Sequence, residues 1–492
     1  MKHEFHASFF LVRYWLLSNS LIVLLFVRVG AVRLIDFYSK IRYNITKILC
    51  TRKIMAKKLT IAEKLKKRKY RPAPRLIAGI YKFLMVDIIG RKYKAKFHHI
   101  DKVSDCKGPC FVIFNHLSRI DHMYVCGATY PRITNMVAGQ SEFYRKKFSF
   151  VFWLDKVIPK KNYSPDALAV RGISEVIKKG GCVTFAPEGL ASDYGGNKPI
   201  VPGTSKMFKH FKVPVYLCYL EGQYLQNTKV CLDERFGETH ATTSLLFSKE
   251  DIERLSVEEM DDIINEKFRR NEYAWNAEKK IKWETHGRIC HRLEDFCYKC
   301  PKCGKEFTMK GEGDKITCSN CGNGATMDDY YQFHPFEDAV IPASPFEWVE
   351  QERMDIIKEI RANPDYVFED ECQIGNLDEY KLLGDNKTSN IVGAGTIRID
   401  HKGMHYKGTR NGEPYEFTMD YKSLYTLITE VDSSYFNFYY KGEYFDVFPK
   451  HQTVGKITLL VEEMHRYHVN FYKNFKWNDY MYEGMELGID LK

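Results

Sequence analysis

The sequence lacks a long uncharged apolar stretch. Its most apolar segment, residues 7–27, is interrupted by Arg13, so that only residues 14–27 are free of charge. A transmembrane helix needs about twenty apolar residues, and no small-residue cleavage site of the signal-peptide type follows. Residues 1–54 are therefore predicted to form a membrane-inserted or interfacial anchor, with a buried segment as the alternative. Met55 would itself make a plausible start, which would leave residues 1–54 outside the working protein.

Low-complexity tracts and a regular cysteine framework are also missing. The chain has 492 residues, of which 44% are apolar, so we expect a folded protein of about three units. Of its fourteen cysteines, five fall between Cys297 and Cys321, and the others stand singly in apolar contexts. This pattern argues against a disulfide scaffold and for a reducing compartment.

Acidic residues are scarce in one short segment. The formal net charge is +11, and the segment from Arg52 to Arg75 holds eleven Lys or Arg against the single acid Glu63. Residues 55–90 are thus predicted to be a basic segment followed by a helix, residues 76–89, that faces either a membrane or the core. An anionic membrane surface is the expected partner, which would place the protein on the cytoplasmic face of a membrane. Nucleic acid is the rival partner.

Two polar clusters each follow a short, continuously apolar run that is typical of a strand buried on both faces. Asn115-His116 follows residues 110–114, and Pro187-Glu188-Gly189 follows residues 182–186. Further strands are predicted near 133–138 and 213–220, with helices near 119–129 and 165–179, so the region is α/β. Both clusters are expected at the carboxyl edge of the sheet, where such sheets bind ligands.

His116 and Asp121 are five residues apart, so they can converge only across a turn from loop to helix. Ser118 is predicted to be the N-cap of that helix, which would place Asp121 in its first turn. A carboxylate that holds an imidazole in one tautomer allows the other ring nitrogen to act as a general base. The alternative is that Asp121 is only a capping partner.

Asn-His-x4-Asp, followed about seventy residues later by Pro-Glu-Gly, resembles the glycerolipid acyltransferases of the lysophosphatidate acyltransferase superfamily. The resemblance implies that His116 and Asp121 are catalytic and that Glu188 and Gly189 bind the acceptor. The family's Pro-Glu-Gly motif usually continues Thr-Arg-Ser, whereas Leu190-Ala191-Ser192 follows Gly189 here, so that the phosphate-facing arginine is missing. The family also carries an arginine after an earlier strand, where this sequence has Lys160 and Lys161. Lys160, Lys161 and Lys206 are the candidate substitutes, and the loop before Lys206 is predicted to be flexible and to open a helix whose N-terminus could receive a phosphate.

The predicted fold class is α/β: an acyltransferase-type mixed sheet with flanking helices in residues 91–245, then a zinc ribbon and a β-rich C-terminal domain. The resemblance implies an acyl-CoA or acyl-ACP donor and a lysophospholipid acceptor in phospholipid biosynthesis. Because the arginines differ, a non-glycerolipid hydroxyl remains an alternative acceptor. A zinc-ribbon module that binds nucleic acid or protein is the alternative function.

Two Cys-x2-Cys pairs indicate a zinc ribbon in residues 293–335, with four protein ligands and thus a structural Zn²⁺. The ligands would be Cys300, Cys303, Cys318 and Cys321; redox dithiols are the alternative. Residues 246–292 are predicted to be a solvated helical connector, in which Ser256 and Glu259 are spaced as a capping box.

The remainder is predicted to be a linker, residues 336–390, with a helix over 347–361 and an otherwise loop-rich end. Alternating strands and tight turns then indicate a β-rich domain, residues 391–492, closed by a helix near 452–472. Its topology is similar to a pleckstrin-homology or GRAM-like barrel. The aromatic run 148–153 is consistent with either an acyl-chain groove or the core.

Overall fold

The computed structural model describes residues 59–384, 389–430 and 432–469. The chain divides into two units, Met1–Lys64 and Leu65–Lys492, and the sheets and the site discussed below lie in the second. The predicted anchor, residues 1–54, lies outside the described residues. Within the described ranges, no helix combines the length and the apolar character that crossing a bilayer requires.

The first part of the structure is built on a mixed sheet. Its helices are α1 (Ile61–Lys67), α2 (Arg75–Tyr81), α3 (Asp121–Thr129), α4 (Lys146–Leu154), α5 (Ala167–Lys178), α6 (Thr204–Phe211) and α7 (Gln223–Gln226). Its strands are β1 (Ala95–His99), β2 (Cys110–Phe114), β3 (Thr134–Gly139), β4 (Ile158–Lys160), β5 (Cys182–Phe185), β6 (Val215–Glu221) and β7 (Thr239–Phe247). The strand order is β1-β7-β6-β2-β5-β3-β4, and neighbours are parallel except β6 and β7.

Strand β2 lies in the middle of this sheet and is buried along its whole length. Cys110, Val112 and Phe114 face one hydrophobic cluster, and Phe111 and Ile113 face the other, as period-2 alternation requires. The predicted strands near 110–114, 133–138, 182–186 and 213–220 are confirmed, because apolar runs of this length fit a sheet covered on both faces.

The segment 246–292 is helical, as predicted, with α8 (Lys249–Arg254), α9 (Val257–Phe268) and α10 (Glu272–Lys279). The prediction that it is solvated is wrong. Ser256 and Glu259 do form the predicted capping box. Met260, Ile264 and Phe268 recur at helical spacing on one face of α9 and are buried against the sheet. This segment is therefore part of the core.

The ribbon and the C-terminal domain follow. The ribbon is an antiparallel sheet of β8 (Met309–Glu312), β9 (Lys315–Cys318), β10 (Gly324–Met327) and β11 (Phe333–Pro335). Helix α11 (Pro345–Ala362) leads into β12 (Val367–Asn376), β13 (Asn390–Asp400), β14 (Gly403–Arg410), β15 (Glu413–Met419), β16 (Ile428–Thr429), β17 (Phe436–Tyr440), β18 (Glu443–Pro449) and α12 (Val454–Val469).

The C-terminal strands form one antiparallel sheet in the order β15-β14-β13-β12-β18-β17-β16. A β-rich domain with a closing helix is confirmed, but β12 lies in the segment that was predicted to be loop-rich. Three of the four residues on its exposed face are polar, and the charged Asp370 lies on the buried face, which weakens the strand signal in the sequence. The pleckstrin-homology or GRAM-like likeness stays a prediction.

Backbone hydrogen bonds join the C-terminal part of the chain to loops that flank the first sheet. Leu383 bonds through its backbone N–H to Tyr144 (2.7 Å) and through its carbonyl to the N–H of Lys146 (3.0 Å). The N–H of Asp432 donates to the carbonyl oxygen of Lys229 (3.0 Å). The parts of the second unit are therefore joined by backbone hydrogen bonds that are distant in sequence.

Candidate active site

His116 and Asp121 meet at the carboxyl end of β2. His116 Nδ1 lies 2.8 Å from Asp121 Oδ2, and the side chains are 28% and 1% exposed respectively. With Asp121 ionised, Nδ1 carries the proton and Nε2 is left as the basic nitrogen. Among the described residues, no group hydrogen-bonds Nε2. The imidazole is thus oriented on one side and open on the other.

The Asp121 carboxylate is fixed by the loop before it. It accepts hydrogen bonds from the N–H of Leu117 (2.7 Å), the N–H of Ser118 (3.0 Å) and Ser118 Oγ (2.6 Å). The predicted N-cap is wrong: α3 begins at Asp121 itself, and Ile120 occupies the cap without a side-chain bond. Ser118 instead donates to Asp121, which keeps this carboxylate in one orientation.

Asn115 joins the end of β2 to β6. Its Nδ2 donates to the carbonyl oxygen of Leu220 (2.9 Å), and its Oδ1 accepts from the N–H of Leu220 (2.7 Å). The side chain is fully buried. It therefore continues the strand pairing for one more residue and fixes where the loop that carries His116 begins.

The Glu188 carboxylate binds the backbone of His116. Its Oε2 accepts from the backbone N–H of His116 (2.5 Å), and its Oε1 accepts from the N–H of Lys198 (3.0 Å). Burial raises the pKa of Glu188 to about 8, although the two N–H donors act in the opposite direction. Both carboxylate oxygens face backbone amides, so the observed role of Glu188 is to position the loop. Its predicted contact with an acceptor stays a prediction.

Gly189 occupies a left-handed conformation with φ of 79°. Its carbonyl oxygen accepts from Asn162 Nδ2 (3.0 Å), and the neighbouring carbonyl of Glu188 accepts from Tyr163 Oη (2.6 Å). A Cβ at this position would lie 3.2 Å from the Tyr163 ring. Glycine is required here both by the turn and by the close approach of the loop after β4.

Two of the predicted phosphate-binding lysines, Lys160 at the end of β4 and Lys161 in the loop that follows, are engaged by carbonyl groups. Lys160 Nζ donates to the carbonyl oxygen of Ser164 (2.8 Å) and to that of Lys161. Lys161 Nζ donates to the carbonyl oxygen of Gly442 in the β17–β18 turn (2.9 Å). The contacts of Tyr163 and Asn162 bring the loop beside Glu188 and Gly189. A free cationic cluster does not form there among the described residues.

The third lysine, Lys206, is exposed on α6. The helix N-terminus that was predicted to receive a phosphate already holds a carboxylate. Asp261 accepts from the N–H of Gly203 (3.1 Å) and of Ser205 (3.0 Å). That prediction is therefore wrong: α9 supplies the anion from within the chain, and the sequence separation of Asp261 hid it.

The structural role of the residues between Leu190 and Ile200 was not predicted. Residues 193–197 and 202–206 were predicted to form a flexible loop, yet all of residues 190–200 are buried. Ser192 donates its N–H to the carbonyl oxygen of His116 (2.9 Å), and Lys198 holds Glu188 as described. The sequence gives little indication of this burial, because Asp193 and Lys198 are charged and charged residues are usually exposed. Only the structure shows that Lys198 has a partner in the C-terminal domain.

Four cysteines form a cluster that could hold a metal ion. The sulfurs of Cys300, Cys303, Cys318 and Cys321 all lie within 4.8 Å of one another. The two tight turns that follow depend on Gly304 and Gly322, whose φ angles are 71° and 74°. Three polar side chains point at the sulfurs, as expected around thiolate ligands. These are Asn323 on Cys300 (3.6 Å), Asn320 on Cys303 (3.6 Å) and Thr308 on Cys318 (3.3 Å).

Comparison with known proteins finds similarity to one protein family and to solved structures. Residues 94–221 match the sequence profile of the Acyltransferase family, whereas no curated protein matches the chain. Among solved structures, the chain is similar to the 1-acyl-sn-glycerophosphate (LPA) acyltransferase PlsC of Thermotoga maritima. The identity is 15% and the TM-score 0.34, over 44% of this chain and 87% of that chain. Values this low carry no argument about the substrate.

Proposed function

Residues 94–221 are a domain of the acyltransferase superfamily, and from this premise we propose that the protein is a membrane-associated O-acyltransferase. It transfers a fatty acyl group from acyl-CoA or acyl-ACP to the hydroxyl of a lysophospholipid such as 1-acylglycerol 3-phosphate. The observation that carries the proposal is the His116–Asp121 pair. The imidazole is held at 2.8 Å on its Nδ1 side, its side chain is 28% exposed, and no described residue hydrogen-bonds its Nε2.

In the proposed reaction, His116 Nε2 takes the proton of the acceptor hydroxyl as its oxygen attacks the thioester carbonyl carbon. The new C–O bond gives a tetrahedral adduct. Collapse of the adduct breaks the C–S bond, and the imidazolium returns the proton to the departing thiolate. Asp121 keeps the tautomer and stabilises the imidazolium, so no protein nucleophile is needed.

The test is a product assay with the purified full chain, radiolabelled acyl-CoA and a panel of lysolipids. We expect His116→Ala to abolish transfer and to leave the unfolding temperature close to that of the wild type, because the side chain is partly exposed. Asn115→Ala, which removes the buried bonds to Leu220, should instead lower stability. Undiminished turnover by the His116 variant would overturn the assignment.

The contacts of the predicted phosphate-binding lysines favour a second class of acceptor, one without a phosphate group. Lys160 and Lys161 are engaged by carbonyl groups, and the α6 N-terminus is occupied by Asp261. An acceptor without phosphate, such as a sugar or another polyol, would not need these groups. Including neutral acceptors in the same panel separates the two classes, since only one of them should saturate the enzyme at low concentration.

Membrane association is supported by an apolar surface near the N-terminal side of the domain. Leu76, Ile80 and Phe83 recur at helical spacing and are exposed, Leu76 by 74% and Phe83 by 54%. Phe150 on α4 is 69% exposed. Burial, with the nearby Cys126 and Asp155, raises the pKa of Tyr81, so the end of α2 approaches the end of α4. Together with the basic segment up to Arg75, this surface suits the cytoplasmic face of an anionic bilayer.

The four cysteines are proposed to bind one structural Zn²⁺, which would supply a tetrahedral cross-link between the two turns. Cys300, Cys303, Cys318 and Cys321 provide all four ligands, so no position is left for a substrate. The chain should contain about one zinc per molecule by elemental analysis. Cys303→Ser should lower both the zinc content and the unfolding temperature; retention of zinc by this variant would exclude the ligand set.

A further inference from the structure

The segment from Leu190 to Ile200 has no helix or strand, yet every residue in it is buried. Loops normally run over the surface, because buried backbone groups need partners. Here the partners exist: besides the bond from Ser192 to His116, the N–H of Ile200 donates to Asn265 Oδ1 (2.9 Å). We call this segment the buried loop. It contacts the backbone of His116 through Ser192 and the carboxylate of Glu188 through Lys198.

Charged side chains connect the buried loop to the C-terminal domain. Lys198 Nζ lies 2.8 Å from Asp193 Oδ2 and 2.6 Å from Glu462 Oε1 on α12. Lys229 Nζ lies 2.8 Å from Asp193 Oδ1. All four side chains are buried. Lys198 is thus held by its side chain from α12 while its backbone N–H holds Glu188.

The network continues through the two C-terminal helices. Arg353 on α11 bonds Glu462 Oε2 (2.8 Å) and Glu463 Oε1 (2.7 Å), and Glu463 also pairs with Arg466. Burial alone would raise the pKa of Glu462, but Lys198 and Arg353 hold it at about 2. Each buried charge named here therefore has a partner of opposite sign: Lys198, Lys229, Arg353 and Arg466 pair with Asp193, Glu350, Glu462 and Glu463.

We propose that α12 positions the active site, with Glu462 and Lys198 as the positioning residues. Glu462 fixes Lys198, the Lys198 amide fixes Glu188, and Glu188 fixes the backbone of His116. The proposal rests on the acyltransferase function proposed above. Buried ion pairs often add little net stability relative to apolar packing, so their use here is to specify where the loop lies.

The chain offers a matched pair of variants on α12. Glu462→Gln removes the carboxylate that bonds Lys198. Glu463→Gln removes a neighbouring, equally buried carboxylate that bonds Arg353 and Arg466 instead. If Glu462→Gln does not fold, Thr426→Val keeps every charge of the network and removes the hydroxyl that bonds Glu462 Oε1 (2.7 Å) and, more weakly, the carbonyl oxygen of Leu427 (3.4 Å). Its control is Thr458→Val, a buried threonine of α12 that bonds Thr429 and the backbone.

Two measurements on the full chain test whether Glu462 and Lys198 position the active site. In steady-state kinetics, Glu462→Gln should lower kcat by up to about 100-fold, as displacement of a catalytic group can, with the donor KM unchanged. Hydrogen exchange should become faster at the amides of His116, Ser192 and Lys198. Glu463→Gln should lose stability without either change. Thr426→Val should lower kcat several-fold and speed hydrogen exchange at the same amides. Thr458→Val should change neither kcat nor exchange.

The outcomes separate the two proposals. Faster exchange in Glu462→Gln but not in Glu463→Gln supports the positioning role even if the wild type transfers no acyl group, in which case the proposed function fails alone. Equal exchange in both variants, or unchanged exchange and kcat in Glu462→Gln, would overturn the positioning role. An active wild type would then leave the acyltransferase assignment standing.

Discussion

The Asp121 carboxylate has four donors around it: His116 Nδ1, the amides of Leu117 and Ser118, and Ser118 Oγ. An asparagine amide has the same shape but can accept at only one of its two positions. Asp121→Asn would therefore either turn an N–H toward the backbone amides or force the wrong tautomer on His116. We expect kcat to fall by about 10⁴-fold, as for the corresponding change in serine proteases.

Ser118→Ala is the control for that variant. It removes one hydrogen bond from Asp121 and leaves both the charge and the tautomer of His116 unchanged. Stability should decrease by about 1 kcal/mol, with a much smaller loss of kcat. If Asp121→Asn and Ser118→Ala reduced kcat equally in the same assay, Asp121 would be only a structural partner of the turn.

Glu188 should make stability depend on pH. Burial raises its pKa from the usual 4.5 to about 8, so between these values the folded chain binds more protons than the unfolded chain. The stabilisation is then fully present below about pH 4.5 and is lost as the pH rises through about 8. Denaturant midpoints at pH 6 and 8.5 should differ more for the wild type than for Glu188→Gln. An equal difference would mean that Glu188 titrates normally.

The residues of the site were predictable to different degrees. His116 and Asp121 were found because they are close in sequence and flank a strand end. The positions of Glu188 and Lys198 relative to them depend on strand pairing and on α12, which lies 264 residues after Lys198. Whether Lys160 and Lys161 are free or engaged depends on the same distant contacts. Their use in binding stays a prediction.

At the scale of elements, the signals that succeeded were local. Buried strands are continuous apolar runs, and hairpin turns such as Lys441-Gly442 carry positive φ angles. The errors came from partners elsewhere in the chain. Helix α9 was assigned to solvent because charged residues alternate with its apolar ones, and β12 was missed because polar residues stand on both of its faces.

The apolar surface formed by α2, the π-helical segment Lys82–Ile88 that continues it and α4 is expected to act as the membrane contact. Phe83→Asp and Phe150→Asp should each lower binding to vesicles of anionic phospholipid by at least about tenfold, since burying one aromatic side chain contributes roughly 1.5–3 kcal/mol. The measurement is co-sedimentation of the purified protein with vesicles. Val170→Asp, on the exposed face of α5, is the control. An effect of the same size from Val170→Asp would contradict this assignment of the surface.

At the scale of the molecule, Leu65–Lys492 is one compact unit in which buried charges join the first sheet to α11 and α12. We therefore expect a single cooperative unfolding transition. In calorimetry the measured and van't Hoff enthalpies should agree. Two separated transitions, one for the ribbon with the C-terminal domain and one for the first sheet, would show that the network does not couple them.

Because Glu462 on α12 holds the buried loop beside His116, the active site can be completed only after α12 has been synthesised. A ribosome that adds about 5–20 residues each second needs roughly 15 to 50 s to travel from Lys198 to Glu462, which are 264 residues apart. During that interval Lys198 lacks the carboxylate of Glu462. A nascent chain should therefore show no turnover until α12 emerges, and a product terminated before α12 should never acquire turnover.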